Sequence, residues 1–303
     1  MMKITGIIKS ILKGVILSTK TVLVMGASGM LGNAFMRFFT ESPSYLVWGS
    51  ARSGEFLKHM PTELHSRIVT GVNVDSPDSL HQLFDQTRPD FVINCIGLVK
   101  QHLGATDPLS IIPINSILPH RLARLCKLSG ARLIHISTDC VFSGSKGNYL
   151  EEDYPDSNDL YGRSKLMGEV DYQNAVTLRT SVIGHELIGA KSLINWFLSQ
   201  KKEVEGYVNA RFSGMPTVEL AKVVRDFVIP RPELHGLYHV STEPICKHDL
   251  LQFVAQVYDS KITIKKTLLP VIDRSLDSRR FREATGYMPP DWLSLVRSMY
   301  QFR

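Results

Sequence analysis

Short apolar runs alternate with segments of helical period from residue 21 to about residue 180. The apolar runs are rich in β-branched residues and are followed by turn signals, as in parallel strands joined by crossover helices. The predicted strands are TVLVMG, YLVWGS, DFVINCIG and RLIHIST, and the helices predicted between them are MLGNAFMRFF, DSLHQLFDQT and PHRLARLCKLSG. This alternation predicts an α/β fold with a doubly wound parallel sheet.

The alternation loosens after residue 180. SLINWFLSQKK and HDLLQFVAQVY have helical patterns, and GLYHVS has the pattern of one more strand. We therefore expect a first domain over residues 21–180 and a smaller C-terminal lobe over residues 181–303, from which strands return to the core of the sheet.

The composition is that of an ordinary globular protein, with 44% hydrophobic and 21% charged residues among 303. No apolar run is long enough for a transmembrane helix. The four cysteines include no C-x-x-C pair and have no histidines at ligand spacing. We therefore expect free thiols, no metal site and a cytoplasmic protein in a reducing compartment.

The formal net charge of +6 is concentrated at the N-terminus. Residues 1–20 contain four lysines and no acidic residue, so the rest of the chain is nearly neutral. A nucleic-acid-binding protein would carry a basic stripe with interleaved aromatic residues elsewhere, and this sequence has none. We expect no nucleic-acid partner.

Residues 1–20 also have an amphipathic pattern. Their aliphatic residues recur on one face of a helix: Ile4, Ile7, Ile8, Ile11, Leu12, Val15 and Ile16. One interpretation is an extra helix packed on the protein body, or a disordered extension. The other is a basic amphipathic helix on an anionic membrane surface, which would hold the protein peripherally at the inner face of the membrane.

The segment GASGMLG has the spacing G-x-x-G-x-x-G between a predicted strand and a predicted helix. There, one glycine permits the turn, one lets the backbone approach a pyrophosphate, and one lets helix and strand pack closely. The pyrophosphate would rest on the helix N-terminus. The context predicts a Rossmann domain that binds a dinucleotide through these residues: Gly26, Ser28, Gly29, Met30, Leu31 and Gly32.

The end of the second predicted strand indicates which dinucleotide binds. NAD sites usually hold an acidic residue there for the ribose hydroxyls, but this chain has Ser50 and Arg52 and no acid before Glu55. A guanidinium pairs well with a 2′-phosphate. We therefore favour NADP(H), while NAD(H) and a merely solvated Arg52 stay open.

Tyr161 and Lys165 lie four residues apart in a helical pattern, so their side chains share one face. A nearby ammonium lowers the pKa of a tyrosine, which suits the pair to proton transfer. Ser137, Thr138 and Asp139 end the strand RLIHIST, where doubly wound sheets bind ligands. Thr138 is a candidate to hydrogen-bond a substrate carbonyl and Asp139 to orient the substrate, although the hydroxyls could instead cap a turn.

These motifs, in this order, resemble the extended short-chain dehydrogenase/reductase superfamily. Within it, HISTDCVFSG followed by YGRSKLMGE is similar to dTDP-4-dehydrorhamnose reductase and its nucleotide-sugar relatives. The resemblance covers the chain from about Thr21 to the C-terminus. It implies that Tyr161 donates a proton to a ketone, that Lys165 tunes the tyrosine and binds the nicotinamide ribose, and that Thr138 is the active-site hydroxyl.

The same resemblance implies that Asn94 and Gly97 line the cofactor and that Asn115 lies in the helix that follows. Three positions depart from the family pattern: Cys140 replaces a common tyrosine, NCIG replaces Asn-Ala-Ala-Ala, and Asn73 replaces an aspartate. These departures leave open the branch that reduces UDP-2-acetamido-2,6-dideoxy-hexos-4-uloses.

Polar residues of the C-terminal lobe are candidates for binding the nucleotide diphosphate and the sugar. They are Asn195, Arg211 and Thr217, in addition to Asp139. Trp196 could stack on a base, but a tryptophan in an apolar helix is more often part of a core.

The sequence thus predicts an NADPH-dependent nucleotide-sugar 4-ketoreductase that makes precursors of cell-surface polysaccharide. One alternative is an epimerase on the same scaffold, and another is a non-catalytic subunit resembling the regulatory β subunit of methionine adenosyltransferase. A dehydratase is disfavoured, because Cys140 stands where dehydratases of this superfamily tend to have glutamate. We expect a nucleotide sugar as the substrate. Whether the protein forms a homodimer is left open.

Overall fold

The computed structural model describes residues 19–99 and 106–303. The amphipathic pattern predicted for the N-terminal extension therefore lies almost entirely outside the described residues. Among the residues described, none of the helices combines the length and the apolar character that crossing a membrane requires.

The strands occur along the whole described chain. In order they are β1 (Lys20–Met25), β2 (Tyr45–Ser50), β3 (Ile68–Val69), β4 (Phe91–Asn94), β5 (Arg132–Thr138), β6 (Ala175–Thr180), β7 (Val182–Ile183), β8 (Glu203–Tyr207), β9 (Ala210–Phe212), β10 (Met215–Pro216), β11 (Gly236–His239), β12 (Ile245–Cys246), β13 (Thr263–Thr267) and β14 (Ile272–Asp273). Seven of them form one parallel sheet in the order β11-β6-β5-β4-β1-β2-β3.

The helices are mostly short. They are α1 (Met30–Thr40), α2 (Pro77–Thr87), α3 (Pro108–Ile112), α4 (Leu118–Ser129), α5 (Leu160–Met167), α6 (Leu193–Ser199), α7 (Thr217–Val223), α8 (Lys247–Val257), α9 (Arg279–Thr285) and α10 (Trp292–Gln301). π-Helical turns follow α3 and α7, at Pro113–Ile117 and Val224–Val228, and single 3₁₀ segments lie at Glu55–His59, Thr62–Arg67 and Asp139–Val141.

Helices cover both faces of the large sheet. On one face, Phe35 of α1 packs in the same cluster as Leu220 of α7 and Val224 of the turn that follows it. On the other face, Leu83 of α2 and Leu122 of α4 share a second cluster. Strands covered on both faces have no polar side to present, which explains the unbroken apolar runs of the sequence. The predicted doubly wound α/β architecture is confirmed.

The register of the parallel strands brings their carboxyl ends to one edge. Met25 pairs with Ser50 on one side and with Asn94 on the other, and Thr138 pairs with Thr180. The glycine turn after β1 and the polar end of β5 therefore open at the same edge of the sheet, where doubly wound folds bind ligands.

The chain after residue 180 forms three small sheets, β7 with β10, β9 between β12 and β14, and β8 with β13. Their side chains pack with α6, α8 and α10 around a third apolar cluster that includes Phe197, Leu250 and Leu295. β11, from the same part of the chain, lies at the edge of the large sheet beside β6.

We predict that Gly32→Ala destabilises the protein by about 1–3 kcal/mol, the usual range for overpacking. A Cβ at Gly32 would come within 2.1 Å of the carbonyl oxygen of Gly26, which belongs to the backbone and cannot rotate away. Urea unfolding measures the change. Gly54→Ala is the matched control, because a Cβ there meets its nearest atom at 3.5 Å; equal stability of the two variants would contradict the prediction.

Candidate active site

A cleft of about 550 Å³ lies at the carboxyl edge of the large sheet. Its lining comes from the start of α1, the ends of β4 and β5, helix α5, residues after β6 and the start of α8. The lining residues are Gly29–Leu31, 95–97, Val99, 136–140, Tyr161, Lys165, 180–183, Glu186, 191–193 and Lys247.

The glycine turn forms one wall of this cleft. Gly26 has φ +82°, a conformation that glycine adopts without strain, and its N–H donates to the carbonyl of Ser50 at 3.1 Å. Gly29 precedes α1 and supplies no side-chain cap, and the first turn of the helix contains no acidic residue. The first N–H groups of α1 are therefore suited to an anion, which fits the pyrophosphate of a dinucleotide.

Asn94 and Asn115 hold the loop after β4. Asn94, fully buried, accepts from the backbone N–H of Ile96 at 3.1 Å and contacts His135 Nδ1 at 3.1 Å. Asn115 accepts from the N–H of Leu98 at 2.8 Å and donates to its carbonyl at 3.0 Å. Gly97 lies in this loop and lines the cleft, whereas Asn94 lies behind it as a support.

The predicted pair Tyr161 and Lys165 lies on α5, and both side chains line the cleft. The Asp159 carboxylate caps this helix by accepting from the N–H of Gly162 at 2.8 Å. Lys165 Nζ donates to the carbonyl of Ile136 at 2.8 Å. The structure therefore places both side chains on one cleft, with the Lys165 ammonium at the end of β5.

The pKa values of the pair move in opposite directions. Burial raises the pKa of the Tyr161 phenol, and a hydrogen bond with Thr138 partly opposes the rise. Burial also lowers the pKa of Lys165 to about 8, against the attraction of the Glu169 carboxylate. At neutral pH the phenol carries its proton and the ammonium its charge.

Thr138 and Asp139 form the floor of the cleft. The Thr138 hydroxyl donates to Asp139 Oδ1 at 3.2 Å and accepts from the N–H of Cys140 at 3.1 Å. Burial raises the pKa of Asp139, and the cations Arg274 and Lys247 oppose this rise. Thr138 and Tyr161 thus present two hydroxyl groups at one place, which is an arrangement able to hydrogen-bond and protonate a carbonyl oxygen.

A buried ion pair supports this floor from behind. Arg179 of β6 donates to the Glu169 carboxylate from Nε at 2.7 Å and from a second nitrogen at 2.6 Å, and Ser137 Oγ donates to the same carboxylate at 2.7 Å. The exposed fractions of the two charged side chains are 3% for Arg179 and 11% for Glu169. This pair was not singled out in the sequence, because a glutamate and an arginine ten residues apart carry no signal of contact.

Several polar residues from the chain after β6 also line the cleft and were not predicted. They are Ser181, Glu186, Lys191, Ser192 and Lys247. In the sequence each is a polar residue outside any motif, and such residues are most often solvated. Only the tertiary structure places them on a cleft.

The remaining predicted residues lie around the cleft or away from it. Asn195 accepts from the N–H of Glu186 at 3.1 Å and so holds a cleft-lining loop without lining the cleft itself. Thr217 is buried beside a smaller cavity, and Arg211 is exposed on β9. Arg52 is exposed just after β2.

Two smaller predictions concern Ser28 and Trp196. Ser28 is exposed in the glycine turn, and Trp196 is 37% exposed on α6. The core position favoured for Trp196 is therefore wrong, because the side chain is exposed and belongs to none of the apolar clusters among the described residues.

One cluster of metal-ligand type occurs among the described residues. Cys246, His248 and Asp249 have ligand atoms within 4.8 Å of one another. The groups bond each other, since Cys246 Sγ accepts from the N–H of Asp249 and His248 Nδ1 lies 2.8 Å from the Asp249 carboxylate. From the sequence no metal site is expected at these three residues.

The sheet, the glycine turn and the Tyr161–Lys165 pair together define the class of protein, the extended short-chain dehydrogenase/reductases, which are NAD(P)-dependent oxidoreductases. Comparison with known families agrees. Residues 20–300 match the family described as the RmlD substrate binding domain. The chain belongs to this family, and the resemblance inferred from its motifs is confirmed.

Individual relatives carry several names. The spore coat polysaccharide biosynthesis protein SpsK of Bacillus subtilis (strain 168) is 27% identical over 93% of this chain and 97% of its own. Methionine adenosyltransferase 2 subunit beta of Rattus norvegicus is 27% identical over 80% of this chain and 73% of its own. The dTDP-4-dehydrorhamnose reductase of Bacillus anthracis, solved in complex with NADP, shares the fold with a TM-score of 0.74 at 19% identity, covering 93% and 99% of the two chains.

We predict that Glu169→Gln lowers the free energy of unfolding by about 3–5 kcal/mol, the range seen when one partner of a buried ion pair is removed. The neutral amide leaves the Arg179 charge buried without its carboxylate. Urea unfolding measures the loss. The control is Glu203→Gln, which breaks the exposed ion pair between Glu203 (56% exposed) and Lys265 (61% exposed). It should lower the free energy of unfolding by no more than about 1 kcal/mol. Equal losses would contradict the prediction.

Proposed function

We propose that this protein reduces the 4-keto group of a nucleotide-activated 6-deoxy sugar with NADPH, in the synthesis of precursors for cell-surface polysaccharide. The observation that carries the proposal is that Thr138, Tyr161 and Lys165 lie on one cleft with the uncapped start of α1. The name of the SpsK relative, a polysaccharide biosynthesis protein, supports the proposed pathway.

The residues present fit a dinucleotide. The turn at Gly26 and Gly29 would hold its pyrophosphate, Gly97 would lie along it, and Lys165 would bind the nicotinamide ribose. Arg52, exposed at the end of β2 where no acidic residue stands, would contact a 2′-phosphate, which favours NADP(H) over NAD(H). When bound, the reduced nicotinamide supplies a hydride.

The side chains of the chain itself supply the proton. Tyr161, kept protonated by burial, donates its phenolic proton to the alkoxide that forms at C4. The Lys165 ammonium stabilises the phenolate that is left, and the Thr138 hydroxyl hydrogen-bonds the same substrate oxygen. Holding these groups in place before the reaction lowers the entropic part of the barrier.

A second candidate function is a regulatory one. The likeness to methionine adenosyltransferase 2 subunit beta favours it, but a purely regulatory protein has no need of Thr138, Tyr161 and Lys165 together on one cleft. An epimerase would keep the same three groups and differ by consuming no reduced cofactor. Membrane contact through residues 1–20, a location at the inner face of the membrane and a homodimer stay predictions.

The test of the reaction is consumption of NADPH with freshly prepared dTDP-4-keto-6-deoxyhexose and UDP-2-acetamido-4-keto-2,6-dideoxyhexose. We predict turnover with one of them, and a loss of turnover of at least about a hundredfold in Tyr161→Phe, because the proton donor is gone. Tyr154→Phe, at a side chain 84% exposed, is the matched control and should be fully active. Binding of NADPH without consumption of either sugar would overturn the proposal.

We predict an alkaline limit in the pH profile of kcat/KM. Burial lowers the pKa of Lys165 to about 8, so its charge is present below that pH and is lost above it, well below the usual range for lysine. Activity should therefore fall above about pH 8. Because Lys247 has a similarly lowered pKa of about 8, the separating variants are Lys165→Arg, which should abolish the limit, and Lys247→Arg, which should retain it.

A further inference from the structure

The loop between β7 and α6 carries part of the cleft lining. It spans residues 184–192, of which Glu186, Lys191 and Ser192 line the cleft. Within the described chain, residues 185–191 make no backbone-to-backbone hydrogen bond. The course of this loop is therefore fixed by side chains, because its own peptide groups do not bond one another.

Asn195 bonds this loop at two points. It is the third residue of α6, and its Oδ1 accepts from the backbone N–H of Glu186 at 3.1 Å while its Nδ2 donates to the carbonyl of Gly189 at 3.1 Å. The assignment of the two amide atoms is unambiguous, since a backbone N–H can only donate and a carbonyl can only accept. One amide group thus ties together the two ends of the segment 186–189.

The start of α6 leaves its own N–H groups without a side-chain cap. Ser192 is the N-cap residue and Asn195 lies three residues on, which is the spacing of a capping box. The Ser192 hydroxyl instead lies 3.3 Å from the carbonyl of Gly184 and 3.4 Å from Asn195 Oδ1, and its single proton serves one of these acceptors at a time. Both side chains thus serve the loop and not the helix, and such departures from a local rule occur at functional sites.

The bonded loop presents two charged side chains to the cleft. Glu186 Oε2 accepts from the backbone N–H of Lys191 at 2.8 Å, so the position of one depends on the position of the other. The first half of the loop is also anchored by packing, since Leu187 contacts the apolar cluster on the α1 face of the large sheet. The second half, residues 188–191, is exposed. For this half, the bonds made by Asn195 and Glu186 replace a packed core.

We propose that Asn195 is a positioning residue of the active site. It holds residues 184–192 in the conformation that places Glu186 and Lys191 along the cleft, and the affinity for the substrate depends on this hold. The inference rests on the proposed function for the identity of the substrate. It gives Asn195 a role other than the direct substrate contact expected from the sequence.

The hold affects binding because ordering a loop costs conformational entropy. A loop that is fixed before the substrate arrives does not incur this cost on binding, whereas a released loop has to be ordered by the substrate itself. Tyr161 and Lys165 lie on α5, outside the loop, so the reaction of a bound substrate should not change. Loss of Asn195 should therefore act on KM and not on kcat.

The first test is amide hydrogen exchange of the full-length protein without substrate, followed by mass spectrometry. In Asn195→Ala we expect the peptide that covers residues 184–192 to exchange faster by roughly ten- to a hundredfold, as for the loss of two hydrogen bonds. Peptides from β4 and β5 should exchange as in the unaltered protein, which shows that the variant is folded. Gln200→Ala is the matched control, because this amide at the end of α6 bonds the Trp196 carbonyl and the Ser199 hydroxyl of the same helix.

The second test is steady-state kinetics with the 4-keto sugar that the protein reduces. Asn195→Ala should raise KM for the sugar by roughly tenfold and leave kcat within about twofold, with unchanged affinity for NADPH. Asn195→Asp keeps an oxygen for the Glu186 N–H and loses the donor to the Gly189 carbonyl. Its loop exchange and its KM should therefore lie between those of Asn195→Ala and the unaltered protein. A merely structural role for Asn195 would instead speed exchange in peptides throughout the protein.

Loop exchange in Asn195→Ala that equals exchange in the unaltered protein overturns the inference, and so does faster loop exchange with an unchanged KM. If neither sugar is turned over, calorimetric affinities for UDP and dTDP take the place of KM. Weaker binding in Asn195→Ala would then leave the positioning role in place and remove the reductase. Equal binding, or no binding to the unaltered protein, would remove both.

Discussion

The burial of the Lys165 ammonium at the carboxyl edge of the sheet is the constraint on which the site depends. Its hydrogen bond to the carbonyl of Ile136 ties α5 to β5 and sets where Tyr161 stands. A buried charge needs compensation, and Glu169 supplies it from the chain just after the same helix. Glu169 is itself nearly buried, so Arg179 of the neighbouring strand must balance it in turn.

The wall of the cleft that the glycine turn forms depends on a close approach between the backbones of β1 and α1. Gly32 packs against the carbonyl of Gly26, so α1 begins directly at the end of β1 and its first N–H groups face the cleft. Asn115 fixes the next loop through both its amide atoms, and also donates to Ser164 of α5 at 3.1 Å. The loop after β4 and helix α5 are thereby joined through one buried amide.

Another part of the cleft is formed by residues that lie far along the sequence from the glycine turn and from α5. The loop that Asn195 holds brings Glu186 and Lys191 to the cleft, and the start of α8 brings Lys247. These residues lie among small sheets and short helices rather than on the large sheet, so their positions follow from packing around the third apolar cluster. Substitutions in this part of the cleft can change which ligand fits it while leaving the glycine turn and α5 intact.

The sequence by itself determined the doubly wound sheet, the glycine turn and the facing of Tyr161 and Lys165, because strand burial, turn geometry and helical spacing are local and periodic. It also indicated Thr138, since the end of a parallel strand is an edge position. The pairing of Glu169 with Arg179, and the arrival of Lys247 at the cleft, were decided only by the tertiary structure. Contacts between distant residues leave no period in a single sequence, and an isolated charge has the same local pattern whether it is solvated or buried.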